Sequence, residues 1–195
     1  MPWADVPGSA PTVLESLVPL YHADVPNTGA AVAEAVTLPG QVVVSFCLVA
    51  AAAVALRRGG RADAAAGWLA ALAVGTAVEM VCKQVVVRPP LYRSGVHLVA
   101  FDSSWPSGHA LRAGIVAGAV VAAWPRARPL LACWYAAVVA LLVTAGFHTP
   151  SDVIGGMLLA ALLALGVVAL ERSGVLRGRA ALRALRPASG ARRDH

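Results

Sequence analysis

Two short runs bring a histidine together with residue types that bind and transfer a phosphoryl group. In Pro106-Ser107-Gly108-His109 the proline suits the first position of a helix, because its missing N–H would be unpaired there anyway. The exposed N–H groups and the dipole of such a helix start favour an anion such as phosphate. Gly108 lets a ligand approach the backbone closely, and the Ser107 hydroxyl is an added donor. His109, in the first turn, is placed to pass a proton to whatever the helix end holds. A plain helix start with an interfacial histidine is the bland alternative. At average residue frequencies, however, this tetrapeptide arises by chance in about one chain per thousand of this length.

The second run, His148-Thr149-Pro150-Ser151-Asp152, opens another expected helix, with Thr149 as its cap and Pro150 in the first helical position. Asp152 then falls in the first turn, where it can turn back to His148. A carboxylate bonded to one ring nitrogen fixes the tautomer and leaves the other nitrogen as a nucleophile. The competing reading is an aspartate that caps a helix beside a chance histidine.

Cations lie near both runs. Lys83 follows Glu79 by one turn, the favourable order for an ion pair. Ionisable groups this deep in an apolar helix are costly and point to function, with a snorkelling lysine as the bland reading. Arg88 precedes Pro89-Pro90, where the helix must end. Arg112 stands one turn beyond His109 on the same face. Its guanidinium can reach the same helix mouth, or pair structurally with Glu79 or Asp102. The candidate catalytic residues are therefore His148, His109 and Asp152. The candidate phosphate-binding residues are Lys83, Arg88, Ser107, Gly108 and Arg112. His22 and His97 read as loop or interface residues, Trp105 and Trp124 as parts of an aromatic belt, and Gly155-Gly156 as a place of close helix packing.

Positioning these groups falls to long apolar segments. The 195-residue chain is 58% hydrophobic and 13% charged, against about half apolar and a quarter charged in a soluble domain. Crossing a bilayer takes about 20 mainly apolar residues, and lipid leaves unpaired backbone groups no partner, which dictates helices. Five spans are expected, at 38–56, 64–87, 106–124, 130–147 and 153–170, in one all-α membrane bundle. Residues 1–37 are too polar to cross and read as an extracytoplasmic interfacial segment. Residues 38–171 then form the membrane domain and 172–195 a basic tail. The first 35 residues lack the basic start and apolar core of a cleavable signal peptide.

A formal net charge of +6 would suggest nucleic acid if the arginines formed a patch on a soluble domain. They lie between apolar runs instead and report topology. Arg57, Arg58 and Arg61, then Arg126 and Arg128, then seven arginines of the tail fall on one side of a five-span path, which the positive-inside rule makes cytoplasmic. The amino terminus and both histidine runs fall on the other side. Lys83, Arg88, Arg93 and Arg112 break the rule at the outer ends of spans two and three, and a bound anion supplies a local reason. Cys47, Cys82 and Cys133 are odd in number and lie in apolar runs, so they read as small buried residues and not as a disulfide framework.

In these residues the chain resembles the type 2 phosphatidic acid phosphatase superfamily, which includes bacterial acid phosphatases and vanadium haloperoxidases. That family has three ordered motifs: a lysine with a following Arg-Pro, a Pro-Ser-Gly-His, and an Arg-containing segment ending His-x-x-x-Asp. Lys83 with Arg88-Pro89, the run 106–109 and the run 148–152 are similar to them. The resemblance covers about residues 83–156, and its second motif is the most specific. Two departures stand out. The family's spacing puts its key arginine at Pro90, with Arg88 at an earlier, often basic position. Its third motif carries Ser-Arg where this chain has Leu141-Leu142, so Arg112 or Arg93 is the expected substitute. Membrane members also commonly have six spans.

The resemblance implies a two-step displacement. His148, oriented by Asp152, attacks phosphorus and forms a phosphohistidine. His109 protonates the departing lipid oxygen and later takes a proton from the hydrolytic water. Lys83, Arg88, Ser107 and the Gly108 N–H hold the non-bridging oxygens. No metal or cofactor is implied. The implied substrate is a lipid-linked phosphate or diphosphate of the polyprenyl, phosphatidate or phosphatidylglycerol phosphate type, met outside the cytoplasm at a bacterial inner membrane. Two other classes stay open. One is a phosphotransferase that passes the group from His148 to another alcohol. The other is a non-catalytic membrane protein, either a degenerate relative or a transporter subunit.

Overall fold

Each apolar run forms one helix, and the breaks fall at proline and glycine. The structure, a computed structural model, describes residues 32, 35–86, 105–144 and 147–173. A 3-10 turn, Leu38–Gly40, leads into α1 (Val42–Arg58), followed by α2 (Ala62–Val85), α3 (Gly108–Ala123), a 3-10 turn at Pro125–Ala127, α4 (Arg128–Thr144) and α5 (Pro150–Ser173). Among the described residues there is no strand. Arg88, Arg93, Asp102, His22, His97 and nearly all of the basic tail lie outside them.

Three helical segments are long and apolar enough to cross a membrane: Ala62–Val85, Pro125–Thr144 and Pro150–Ser173. The other two are shorter than the sequence led us to expect. Pro39 and Gly40 spend the start of the first run on a 3-10 turn, so α1 has 17 residues. Pro106 is not the first residue of α3. Ser107 is the N-cap, its hydroxyl oxygen accepting from Ala110 N–H at 3.3 Å, and Gly108 is the first helical residue. The resulting 16 residues rise only about 24 Å, short of the roughly 30 Å hydrocarbon layer. Their neighbours make up for this, because α3 is the central helix and packs against α1, α2, α4 and α5. Its buried positions include Leu111, Ile115, Val116 and Ala119, which join Val49 and Leu56 of α1 and Trp68 and Leu72 of α2 in the main core.

Close approach between helices rests on small residues, as expected where lipid supplies no hydrophobic drive between them. A Cβ at Gly118 would run into the Trp68 indole, and one at Gly75 into Leu163 and Ile115. At Gly156 a Cβ would meet the Ser107 carbonyl oxygen and lie 3.1 Å from both Ala110 Cβ and Leu111 N. Gly60, with φ +75°, turns the chain between α1 and α2, a backbone region that glycine enters without penalty.

The two ends of the bundle differ in chemistry. At one end Arg61 donates to both carboxylate oxygens of Glu171, at 2.7 and 3.0 Å, and to the Ala122 carbonyl at 2.6 Å. It thereby ties together the start of α2 and the last turns of α3 and α5. At the other end lie the start of α3 with His109, the start of α5 with His148 before it, and the last turn of α2 with Lys83. The histidine runs thus lie opposite the Arg57-Arg58 and Arg126 turns.

Replacing Gly156 by alanine should destabilise the protein despite alanine's higher helix propensity, worth about 1 kcal/mol. The new methyl meets Ser107 backbone, which cannot swing away. Gly166 has nothing within 4 Å of its absent Cβ, so Gly166→Ala should be neutral or mildly stabilising. Thermal midpoints of both variants in detergent check the pair.

Candidate functional site

The loop before α5 is built by reciprocal capping. Thr149 Oγ1 accepts from Asp152 N–H at 3.3 Å, and an Asp152 carboxylate oxygen accepts from Thr149 N–H at 3.2 Å. This is the capping box, with aspartate in the place of the usual Glu or Gln, and it satisfies two of the orphan donors of a helix start. The loop is pinned on its other side by His148 N–H, which donates to the Leu142 carbonyl at 2.9 Å. A further bond joins the two histidine runs directly: Ser107 N–H donates to the Asp152 carbonyl at 2.9 Å.

These contacts bring the histidines together. The ring centroids of His109 and His148 are 6.3 Å apart and their planes are inclined by 51°. His148 and Asp152 are buried, while His109 is half-buried. One sequence expectation is corrected. The Asp152 oxygen expected to bond a ring nitrogen of His148 bonds Thr149 N–H, and His148 Nδ1 has no hydrogen-bond partner among the described residues. Asp152 therefore fixes the backbone that carries the ring and leaves the tautomer unset.

The cations gather around a carboxylate. Glu79, buried near the end of α2, accepts from Lys83 Nζ at 2.8 Å on one oxygen and pairs through the other with Arg112 Nη1. Arg112 is itself buried, and its Nε donates to the Gly40 carbonyl at 2.7 Å. Two cations against one carboxylate leave a formal charge of +1 in the cluster. Ser107 is fully buried with its oxygen used as the helix cap. Gly108 has a different reason for being glycine from the one its sequence suggested. The space a Cβ would take is filled by the Glu79 carboxylate and by Arg112 Nη2, the latter at 2.7 Å, and not left for a ligand.

Of the sequence candidates, His109, His148, Asp152, Ser107, Gly108, Lys83 and Arg112 thus converge at one end of the bundle, and Arg88 falls outside the described residues. Leu142, at the position where an arginine was looked for, is core: it packs with Ala110, Ala113, Val138 and Val153. Glu79 was visible in the sequence as the partner of Lys83 and as one of two carboxylates Arg112 could pair with, but that it takes both cations at once was not. The helical spacing of 79 and 83 was the available signal. A second positioning group, Gly40, left no signal at all, and a Cβ there would come within 2.9 Å of the His109 carbonyl oxygen.

Electrostatics act on His148. Burial, first of all, and then the charges of His109, Lys83 and Arg112 push its pKa from 6.5 down to about 3. The ring is therefore neutral at physiological pH, as a nitrogen nucleophile must be. No three His, Cys, Asp or Glu side chains that could hold a metal converge among the described residues.

A family model described as the PAP2 superfamily matches residues 69–173, more than half of the chain. Comparison with curated proteins and with solved structures yields no match.

The His148 shift has a sign that can be tested. The unfolded chain binds a proton near pH 6.5 and the folded one only near pH 3, so acid favours unfolding across that window. Stability should be full above about pH 6.5 and fall as the pH drops toward 3. His148→Gln should flatten that fall, seen in thermal midpoints in detergent between pH 7.5 and 4. Equal slopes for the two proteins would remove His148 as the cause. Separately, Gly40→Ala should lower the thermal midpoint in detergent, because the new methyl meets the His109 backbone, which cannot swing away.

Proposed function

The chain belongs to the PAP2 superfamily, and from that premise we propose that it is a membrane phosphatase that hydrolyses a lipid-linked phosphate or diphosphate through a phosphohistidine on His148. Membership supports a phosphatase-type activity, and the three long apolar helices are compatible with a membrane protein. The observation that supports the finer reading best is the approach of His109 and His148 to 6.3 Å beside a net positive cluster of Lys83, Glu79 and Arg112. One phosphoryl group can touch both rings at that separation.

In the first step a nitrogen of neutral His148 attacks the terminal phosphorus, its bond to the lipid oxygen (in a diphosphate, to the bridging oxygen of the departing lipid phosphate) breaks, and His109 gives its proton to that oxygen. In the second, water attacks the phosphohistidine, His109 takes a proton from it, and inorganic phosphate leaves with His148 restored. Lys83 and Arg112 hold negative charge on the non-bridging oxygens, where stabilisation matters most in the transition state. Lys83 has N–H donors beyond the one given to Glu79, and Arg112 has Nη2. Asp152 is a positioning residue that acts through the capped loop. The placement of the arginine-rich turns at the opposite end supports a site that faces away from the cytoplasm.

Phosphate release in detergent from polyprenyl phosphate, polyprenyl diphosphate, phosphatidate and phosphatidylglycerol phosphate tests this reading. Wild type should release phosphate from at least one, with His148→Ala at background and His109→Ala lowered by about a hundredfold or more. Equal release by all three proteins sinks the mechanism. Release replaced by transfer to an added alcohol would make the chain a phosphotransferase.

A further inference from the structure

The Glu79 carboxylate has the surroundings that the sequence suggested for a phosphate. It lies against Gly108, the first residue of α3, where the helix start favours negative charge. Lys83 Nζ is 2.8 Å from one of its oxygens and Arg112 Nη1 holds the other. Arg112 stands one turn beyond His109 on α3 and its Nη2 lies against Gly108, the residue before that histidine, so the cluster borders the histidine site while it holds the carboxylate. A buried carboxylate is expensive to keep charged without partners, and this one has two. Burial of one carboxylate with two cations, at the foot of the helix that carries His109, is more than a single ion pair along α2 would need.

We infer that Glu79 is a built-in counter-anion of the phosphate site, which holds Lys83 and Arg112 in place and, by its charge, weakens the grip of the site on inorganic phosphate so that product leaves. The inference rests on the phosphatase reading and adds a determinant of product release to it. The physical basis is Coulomb repulsion. A fixed negative charge next to the cations opposes every anion bound there, and the effect is large in a site partly screened from water. The repulsion opposes the phosphate monoester of the substrate much as it opposes free phosphate, but only the substrate has an apolar tail whose burial offsets it. Without Glu79 the two cations would face the product with their full charge.

The test is binding of inorganic phosphate to the whole protein in detergent, by calorimetry and by phosphorus NMR, for wild type, Glu79→Gln and Glu79→Asp. The Gln variant keeps the shape and an acceptor oxygen for Lys83 but loses the charge. It should bind phosphate at least about tenfold more tightly, or about 1.4 kcal/mol, with a matching drop in the inhibition constant for phosphate. The Asp variant keeps the charge and should stay within about threefold of wild type. Phosphate affinity that is unchanged or weaker in Glu79→Gln, in a protein that elutes as a folded species, overturns the inference and leaves Glu79 as a structural clamp for Arg112. Lipid turnover by wild type is scored separately. Turnover together with unchanged phosphate affinity in Glu79→Gln defeats the counter-anion alone. A wild type that neither turns over lipid phosphate nor binds inorganic phosphate, with a Gln variant that also fails to bind it, defeats both.

Discussion

The docking of the first turn of α3 onto the first turn of α5 is the constraint on which the rest depends. Ser107 N–H donates to the Asp152 carbonyl, and that bond forms because position 156 carries no side chain to hold the two backbones apart. The same contact brings the His109 and His148 rings to 6.3 Å between centroids. Small residues are the usual means of close approach between helices in lipid. Here the approach also sets a distance between two functional groups.

Around that contact the polar groups are organised by capping and by charge. Thr149 and Asp152 satisfy each other's backbone donors, and the loop carrying His148 is pinned to the end of α4. Lys83, Glu79 and Arg112 neutralise most of each other's charge, which lets them be buried in an apolar bundle. Arg112 then reaches the Gly40 carbonyl, so the turn that precedes α1 is tied into the same cluster. Arg61 gives the opposite end a comparable knot with Glu171 and Ala122. The hydrogen bonds to Glu171 push the pKa of the Arg61 guanidinium up from its ordinary value. Between the two knots the helices are held mainly by apolar packing.

The neutral state of His148 follows from the same arrangement. Burial and three neighbouring positive or ionisable groups oppose its protonation, and a nucleophilic imidazole has to be unprotonated. Burial and the net positive charge of the cluster thus together keep the His148 ring neutral.

Much of this was legible in the residues alone. The period and length of the apolar runs announced the helices of the described residues, and the runs 106–109 and 148–152 announced two helix starts, because local rules govern helix starts and caps. Thr149 and Pro150 took the positions that their types imply, and Gly155-Gly156 did mark close packing. What tertiary structure decided was everything that depends on a partner distant in sequence. Gly108 is glycine because Glu79, 29 positions earlier, needs the space. Arg112 meets Glu79 and Gly40 because α2 and the first turn pack on α3. Asp152 takes the neighbouring N–H and not the imidazole, a choice between two local partners settled by how the loop is pinned to α4. Such pairings depend on which helix faces meet, and no pattern within one helix encodes them.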